Sequence, residues 1–150
     1  MDEVFFTDNP LQTKKLGKVL AEEILRNRLD SSGAFVIGLE GNLGSGKTTF
    51  LQGFAAGLGI KEKVTSPTFV IMKGFRISGS KFRKFYHIDC YRIQSSEELL
   101  DLDFDDIVSD SRNIVAVEWA ERVRKILPEK TLLIKFEFIG ENERKISLIC

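Results

Sequence analysis

A phosphate-binding motif lies in the first third of the chain. Residues 41–49 read GNLGSGKTT, in which Gly41, Gly46, Lys47 and Thr48 match the pattern G-x-x-x-x-G-K-[ST]. Its glycines let backbone N–H groups wrap a phosphate chain, while Lys47 supplies a charge for the β- and γ-phosphates and the Thr48 hydroxyl suits Mg²⁺. The motif therefore predicts a nucleotide site. The residues that it places there are Gly41, Asn42, Leu43, Gly44, Ser45, Gly46, Lys47, Thr48 and Thr49.

The sequence on either side of the motif predicts the elements that must position it. Residues 34–40, AFVIGLE, form a short apolar run that is typical of a buried central strand. Residues 48–58 carry apolar side chains at helical spacing, and Gly57 and Gly59 indicate the end of that helix. A helix that begins at the loop directs its dipole and free N–H groups at a bound anion. The order of strand, loop and helix disfavours the alternative of a glycine-rich turn that binds nothing.

Two carboxylates end apolar strands and provide a second half for a nucleotidase site. Glu118 finishes the run IVAVE, and Asp89 finishes FYHID. Ligands of open α/β sheets bind beyond the carboxyl ends of the strands, so we expect at least one of these two carboxylates to face the nucleotide, near the metal or the attacking water. A carboxylate in this position is also a common turn former, and the sequence leaves open which of the two touches the metal. His87 shares a strand face with Asp89 and is either a structural or a catalytic group.

The segment Thr65-Ser66-Pro67-Thr68 follows the phosphate loop at the distance of a mobile switch. Its hydroxyls are suited to sensing a γ-phosphate, and the alternative is a β-turn in which Pro67 fixes φ. Guanine recognition is not indicated, because the chain has no N-K-x-D motif and its D-x-x-G run at residues 30–33 precedes the phosphate loop. ATP is therefore the expected nucleotide.

The overall charge gives no support for a protein that grips nucleic acid by itself. The 150 residues include 22 Lys+Arg and 22 Asp+Glu, and the basic clusters at residues 81–84 and 122–125 are interpreted as solvated faces. Cys90 and Cys150 match no metal or redox spacing. The first residues, Met-Asp-Glu, show no basic segment followed by an apolar one, and no run approaches about 18 apolar residues, so we expect neither export nor a membrane span. We expect a soluble, cytoplasmic protein without membrane contact.

Patterning along the rest of the chain predicts the remaining elements. A strand over Glu3–Thr7 precedes a helix that is capped by Asn9, begins at Pro10 and runs to about Arg28. The apolar face of that helix consists of Leu16, Val19, Leu20 and Ile24. The other predicted elements are, in chain order, a hairpin of residues 69–72 and 81–89, a short helix after the capping box at 95–98, an exposed loop at 101–110, a buried strand at 114–118, a helix at 119–127 that Pro128 ends, and a hairpin of residues 131–138 and Arg144–Ile149.

This order of elements predicts the fold class. Early β-α-β units favour a parallel core, and the hairpins favour antiparallel additions at its edge. We expect one α/β domain over residues 1–150, with the P-loop NTPase fold and a mixed parallel and antiparallel central sheet flanked by helices.

Four motifs in order carry a resemblance to a known family. They are GNLGSGKTTF, then VTSPTF at 64–69, then HIDCYR at 87–92 with SSEELLDL behind it, and then VEWAERV at 117–123. Together they resemble the bacterial TsaE family, also called YjeE, the small ATPase of tRNA threonylcarbamoyladenosine biosynthesis. The resemblance implies Mg-ATP hydrolysis in support of the TsaB–TsaD pair, which attaches threonylcarbamoyl to adenosine 37 of tRNAs reading ANN codons. It implies contact with tRNA only through that complex.

The resemblance also implies roles for individual residues. Residues 44–49 would hold the phosphates, and Thr48 and Glu118 would ligate Mg²⁺. Asp89 would lie beside the metal and the γ-phosphate, either in the outer shell of the metal or as the base that orients water, so that Asp89 and Lys47 would be the catalytic residues. Trp119 would lie close to the nucleotide. The remaining implied positions are the switch residues Thr65, Ser66 and Thr68, and an adenine pocket formed by the turn at residues 9–13, which includes Asn9 and Thr13, and the turn at residues 140–144, which begins at Gly140.

Two other functions remain open on the residues alone. A small-molecule kinase would use the same phosphate loop, with Asp89 as base toward an acceptor hydroxyl and Arg122 and Arg124 in place of a lid. A nucleotide-gated binding module would keep Lys47 essential and make Asp89 dispensable. The residues without the resemblance lead only to a Mg-ATP nucleotidase.

Overall fold

Seven strands form one sheet in the computed structural model, which describes residues 2–26, 32–65 and 71–150. The strands are β1 Glu3–Thr7, β2 Phe35–Gly41, β3 Met72–Arg76, β4 Lys84–Asp89, β5 Asn113–Glu118, β6 Leu132–Phe138 and β7 Arg144–Ile149. They lie in the order β1-β7-β6-β2-β5-β4-β3. The inner strands β6, β2, β5 and β4 run parallel to one another, whereas β7, β1 and β3 pair antiparallel with their neighbours. This confirms the predicted mixed sheet with a parallel core.

Helices cover both faces of the sheet. They are α1 Pro10–Arg26, α2 Lys47–Gly57, α3 Ser96–Leu100 and α4 Phe104–Ser109. Ile37 of β2 packs in the cluster beneath α1 and α2, and its neighbour Val36 packs in the cluster beneath α3 and α4. Because successive strand residues point to opposite faces, one strand contributes to two separate cores. Buried strand β2 thereby carries the phosphate loop from the centre of the molecule.

Capping residues begin helices α1 and α3 where the sequence predicts. The Gln12 N–H donates to Asn9 Oδ1 at 2.9 Å, and Pro10 opens α1. Ser95 and Glu98 form a capping box at the start of α3. Among the residues predicted for the inner face of α1, Val19 is the exception, because 49% of it is exposed.

Helices α1 and α2 touch through their backbones. A Cβ atom at Gly17 would lie 2.1 Å from the carbonyl oxygen of Phe50, and one at Gly53 would lie 1.8 Å from that of Lys14. Real side chains do not approach so closely, so both positions require glycine. This contact fixes the height of α2, and hence of the phosphate loop that precedes it, above the sheet.

The predicted exposed loop at residues 101–110 is wrong. Helix α4 forms there, with Phe104 fully buried and Ile107 nearly so. These two side chains are three residues apart and reach the core from one helical face, while Asp105 and Asp106 occupy its first turn. The many aspartates in this segment obscured the apolar spacing of a short amphipathic helix.

The predicted helix at residues 119–127 is also wrong. Two 3₁₀ turns, Ala120–Arg122 and Arg124–Ile126, occupy the segment. Trp119 has φ 57°, a left-handed conformation that cannot continue into a helix, and Val123 separates the turns at φ −129°. Both Ala120 and Val123 are fully buried, so the chain bends to bring them into the core.

Some predictions fall outside the described residues. These are the end of α1 near Arg28, the residues Ser66, Pro67 and Thr68, and the first part of the strand at 69–72. In the part of the chain that the structure describes, no helix combines the length and apolarity needed to cross a membrane.

The contact between α1 and α2 predicts the effect of one added methyl group. Gly53→Ala should lower the free energy of unfolding by about 2 kcal/mol, because the helices must separate, although alanine is the better helix former. Urea denaturation measures this change. The control Ala56→Gly, on the exposed side of the same helix, should cost no more than about 1 kcal/mol through helix propensity. A Gly53→Ala protein more stable than the parent would contradict the close approach.

Candidate nucleotide site

The phosphate loop connects the end of β2 to the start of α2. Gly46 stands immediately before α2 with φ 107°, and Gly44 has φ 78°. Both values lie in the region that side-chain-bearing residues rarely adopt, which explains glycine at these positions. Because α2 begins at Lys47, its free N–H groups lie at the loop. The local geometry is that of an anion site.

Lys47 is turned back over its own loop. It is buried, and its Nζ donates to the carbonyl oxygens of Gly41 at 2.5 Å and Asn42 at 3.3 Å. The same Nζ lies 3.8 Å from the centre of the Trp119 ring, a cation–π contact. Burial lowers the pKa of Lys47, and the charge of Glu118 opposes that effect.

Glu118 joins the loop to the sheet through both of its carboxylate oxygens. Thr48 Oγ1 donates to Glu118 Oε1 at 3.3 Å, although the two residues are 70 positions apart. Glu118 Oε2 lies 2.6 Å from His87 Nε2, and both side chains are only 2% exposed. His87 on β4 thus holds the strand-end carboxylate that faces the phosphate loop, as a hydrogen-bonding partner.

Asp89 lies next to Glu118 because β4 and β5 are parallel and in register, with Asp89 opposite Glu118. Its Oδ1 accepts the N–H of Tyr91 at 3.0 Å. Asp89 is half-buried, and burial raises the pKa of its carboxyl group, as does the charge of Glu118. The site therefore presents two adjacent carboxylates with different degrees of exposure.

A cavity of about 730 Å³ opens in front of these groups. It is large enough for a nucleotide. The predicted site residues that line it are Thr13, Leu43, Gly44, Ser45, Gly46, Lys47, Thr48, Thr49, Asp89, Glu118 and Trp119.

Other predicted residues lie outside the cavity lining. Gly41 and Asn42 lie beneath it and contribute carbonyl oxygens to Lys47. Asn9 caps α1, and Gly140 belongs to the turn between β6 and β7. Thr65 is exposed and does not line the cavity. Ser66 is outside the described residues.

The sequence analysis did not predict some of the residues that line the cavity. Tyr91 and Arg92 line the cavity, and a weak signal was available, since they follow Asp89 in HIDCYR. The Tyr91 ring centre lies 5.1 Å from that of Trp119, and the Arg122 guanidinium lies 5.4 Å from the Trp119 ring. Glu98 also lines the cavity although its sequence signal is only that of a helix cap. Nothing local to the sequence indicates that this cap faces a ligand site.

The donor set fits magnesium and a phosphate chain. The Thr48 hydroxyl and the carboxylates of Glu118 and Asp89 are oxygen ligands, which Mg²⁺ prefers. Over the described ranges, no group of three or more His, Cys, Asp or Glu side chains could hold a metal by itself. Mg²⁺ in nucleotide sites takes one or two carboxylates and completes its shell with water and substrate phosphates. The loop also retains a buried hydroxyl, Ser45 Oγ, without a hydrogen-bond partner in the described part of the chain.

Comparisons with known proteins agree on one family. A family model described as "Threonylcarbamoyl adenosine biosynthesis protein TsaE" matches residues 7–146. A Bacillus subtilis protein named tRNA threonylcarbamoyladenosine biosynthesis protein TsaE is 38% identical over 94% of this chain and 81% of its own length. A Treponema pallidum protein of the same name is 37% identical over 81% and 85%. The crystal structure of Bacillus subtilis YdiB is 32% identical, with a TM-score of 0.69 over 99% of this chain and 84% of that one.

The raised pKa of Asp89 predicts that its ionised carboxylate destabilises the folded protein. A carboxyl group whose pKa is raised by folding destabilises the protein as pH rises through the folded pKa, since the unfolded chain releases the proton more readily. Asp89→Asn should therefore raise Tm at pH 7.5 by about 2 °C, and by less near pH 4. Calorimetry at both pH values measures this.

Asp110→Asn provides the matched control with the opposite sign. Hydrogen bonds from Arg112 lower the pKa of Asp110 to about 2, so its carboxylate contributes stability above the unfolded pKa. Its replacement should not raise Tm at pH 7.5. A fall in Tm with Asp89→Asn at that pH would show that the Asp89 carboxylate stabilises the fold.

Proposed function

This chain belongs to the TsaE family of threonylcarbamoyl adenosine biosynthesis proteins, and on that premise we propose that its cavity binds and hydrolyses Mg-ATP. The family acts in the formation of threonylcarbamoyladenosine in tRNA. The step proposed for this chain is the hydrolysis of ATP in support of that modification, together with the TsaB–TsaD pair. The neutral charge balance supports contact with tRNA only through partners, and we propose the cytoplasm as the location.

One observation carries the proposal, the hydrogen bond from Thr48 Oγ1 to Glu118 Oε1 at 3.3 Å. It joins the last residue of the phosphate-loop motif to the carboxylate that ends β5. Nucleotidases need both groups at the metal, one from the loop and one from a strand end. A glycine-rich turn with a purely structural role has no reason to bring a carboxylate from 70 residues away.

Thr48 and Glu118 would hold the metal, with Asp89 beside it. When bound, Mg²⁺ neutralises charge that develops on the β- and γ-phosphate oxygens. His87 keeps Oε2 of Glu118 occupied and leaves Oε1 directed at the loop. This arrangement orients the carboxylate without adding a ligand of its own.

Lys47 would exchange its present partners for phosphate oxygens. Its ammonium lies between two loop carbonyls and the Trp119 ring, all of which are weaker partners than a phosphate. The free N–H groups at the start of α2 add partial positive charge at the same place. Together they bind the phosphate chain and stabilise the charge that hydrolysis develops.

Asp89 would orient the attacking water and accept its proton. The water oxygen bonds to the γ-phosphorus, the bond from that phosphorus to the bridging oxygen breaks, and ADP leaves with the electron pair. A raised pKa makes the Asp89 carboxylate a better proton acceptor than an exposed aspartate. The proton then passes to solvent through the open side of the cavity.

Lys47→Ala should reduce kcat/KM for ATP hydrolysis by about 100-fold, because it removes a charge aimed at the transferred group. Phosphate release with and without the TsaB–TsaD pair measures the rate. Lys130→Ala, an exposed lysine in the turn before β6, is the control and should leave the rate unchanged. Equal rates for Lys47→Ala and the parent would refute the assignment of the loop.

The Asp89→Asn variant distinguishes ATP hydrolysis from the two alternative functions, a small-molecule kinase and a nucleotide-gated binding module. We expect it to bind ATP within about threefold of the parent and to lose about 100-fold in kcat, because Thr48 and Glu118 still hold the metal whereas the proton acceptor is lost. Threonylcarbamoyladenosine formed with the TsaB–TsaD pair should fall with it. Full product formation by Asp89→Asn would favour a nucleotide-gated module, and transfer of labelled γ-phosphate to a metabolite would favour a kinase.

A further inference from the structure

Arg144, the first residue of β7, contacts the phosphate loop across 100 residues of sequence. Its Nε donates to the carbonyl oxygen of Ser45 at 3.1 Å, and its Nη2 donates to that of Gly44 at 3.4 Å. The guanidinium therefore binds the carbonyl groups of two successive loop residues, and Arg144 also lines the cavity. The carbonyl of Ser45 belongs to the peptide that joins Ser45 to Gly46, the residue immediately before α2.

The other side of the same guanidinium belongs to the hairpin turn between β6 and β7. Its Nη1 donates to the carbonyl oxygens of Gly140 at 3.4 Å, Glu141 at 3.2 Å and Glu143 at 3.0 Å. The Cζ atom of Arg144 lies 4.3 Å from the centre of the ring of Phe138, the residue that pairs with Arg144 in the sheet register. In the described ranges no carboxylate is within ion-pair distance of Arg144, so its bonds are to backbone carbonyls.

Fixing a carbonyl also fixes the N–H of the same peptide. In a planar trans peptide the C=O and the following N–H point in opposite directions. Because Arg144 holds the Ser45 carbonyl, the N–H of Gly46 points away from Arg144. The N–H of Ser45 is already used by the Asn42 carbonyl at 3.0 Å. Arg144 therefore sets the direction in which the backbone N–H of Gly46 can donate a hydrogen bond.

A loop with glycine at three of its positions has no strong preference of its own for this arrangement. Binding an anion to a loosely held loop costs the free energy of ordering it, and a loop that is held in advance avoids that cost. Arg144 is suited to this task, because its planar fork bonds several carbonyls at fixed angles, which a lysine cannot do.

We propose that Arg144 is a positioning residue that preorganises the phosphate loop for the polyphosphate part of the nucleotide. The proposal rests on nucleotide binding at this site, as proposed above. It gives the hairpin turn at residues 140–144 a role at the phosphate end of the ligand, whereas the family resemblance assigns that turn to adenine. The two roles can be distinguished by experiment, because only a role in adenine binding requires a ligand that carries a nucleobase.

Calorimetric titration with Mg-ATP and with inorganic triphosphate, which has no base, tests the proposal. Arg144→Gln should weaken the binding of both ligands by the same factor, about tenfold or more, because hydrogen bonds from a charged donor are lost. Arg144→Lys keeps the charge and loses the fork, so it should weaken both ligands about as much as Arg144→Gln. The control Lys145→Gln, in the next position of β7, should bind both like the parent.

Three results would overturn the proposal. Restored binding in Arg144→Lys would mean that the residue acts as a point charge. Weakened binding of ATP with unchanged binding of triphosphate would mean that Arg144 contributes to adenine binding. Parent-like affinity in Arg144→Gln would mean that the phosphate loop is ordered without Arg144. If the parent binds neither ligand, the proposed function itself fails.

Phe138→Leu keeps the proposal testable if Arg144→Gln does not fold. Phe138 supports the guanidinium, is 48% exposed and makes a cation–π contact whose loss leaves the arginine in place but less restrained. It should weaken ATP and triphosphate equally, by about threefold. Loss of affinity for ATP alone would again overturn the assignment.

Discussion

The carboxylate of Glu118 is the junction on which the site depends. It hydrogen-bonds to Thr48 of α2 and to His87 of β4, and it ends β5 itself. The parallel register of β4 and β5 then brings Asp89 beside it. A slip of that register by one residue would turn both Asp89 and His87 to the opposite face of the sheet. Backbone pairing in the core thus determines the chemistry at its edge.

The parts of the fold that the sequence predicts are those with strong local signals. Strand β2, the glycine loop and α2 follow one another with unambiguous spacing, and Asn9 and Ser95 cap helices as expected. The wrong predictions of a loop at residues 101–110 and of a helix at residues 119–127 concern short segments. Helix α4 depends on two buried side chains among aspartates, and the two 3₁₀ turns depend on the left-handed backbone of Trp119. Tertiary packing decides such segments, so local patterns predict them poorly.

The site follows the same division. The meeting of the phosphate loop with Asp89 and Glu118 was predictable, because the carboxyl ends of parallel strands share one edge of the sheet. The hydrogen bond between Glu118 and His87 and the hydrogen bonds of Arg144 to the phosphate loop were not predictable from the sequence. Each joins residues distant in sequence through single side-chain atoms, and no periodicity records such a contact.

Trp119 supplies the molecule with a built-in optical reporter. It is the only tryptophan in the chain, and the Lys47 ammonium rests 3.8 Å from the centre of its ring. Indole emission responds to a nearby charge, so a movement of that ammonium changes the fluorescence of the protein without a label. Arg122 and Tyr91 flank the same ring, which makes it sensitive to the whole mouth of the cavity. The residue that follows β5 in a left-handed backbone conformation therefore also makes the state of the phosphate loop visible in solution.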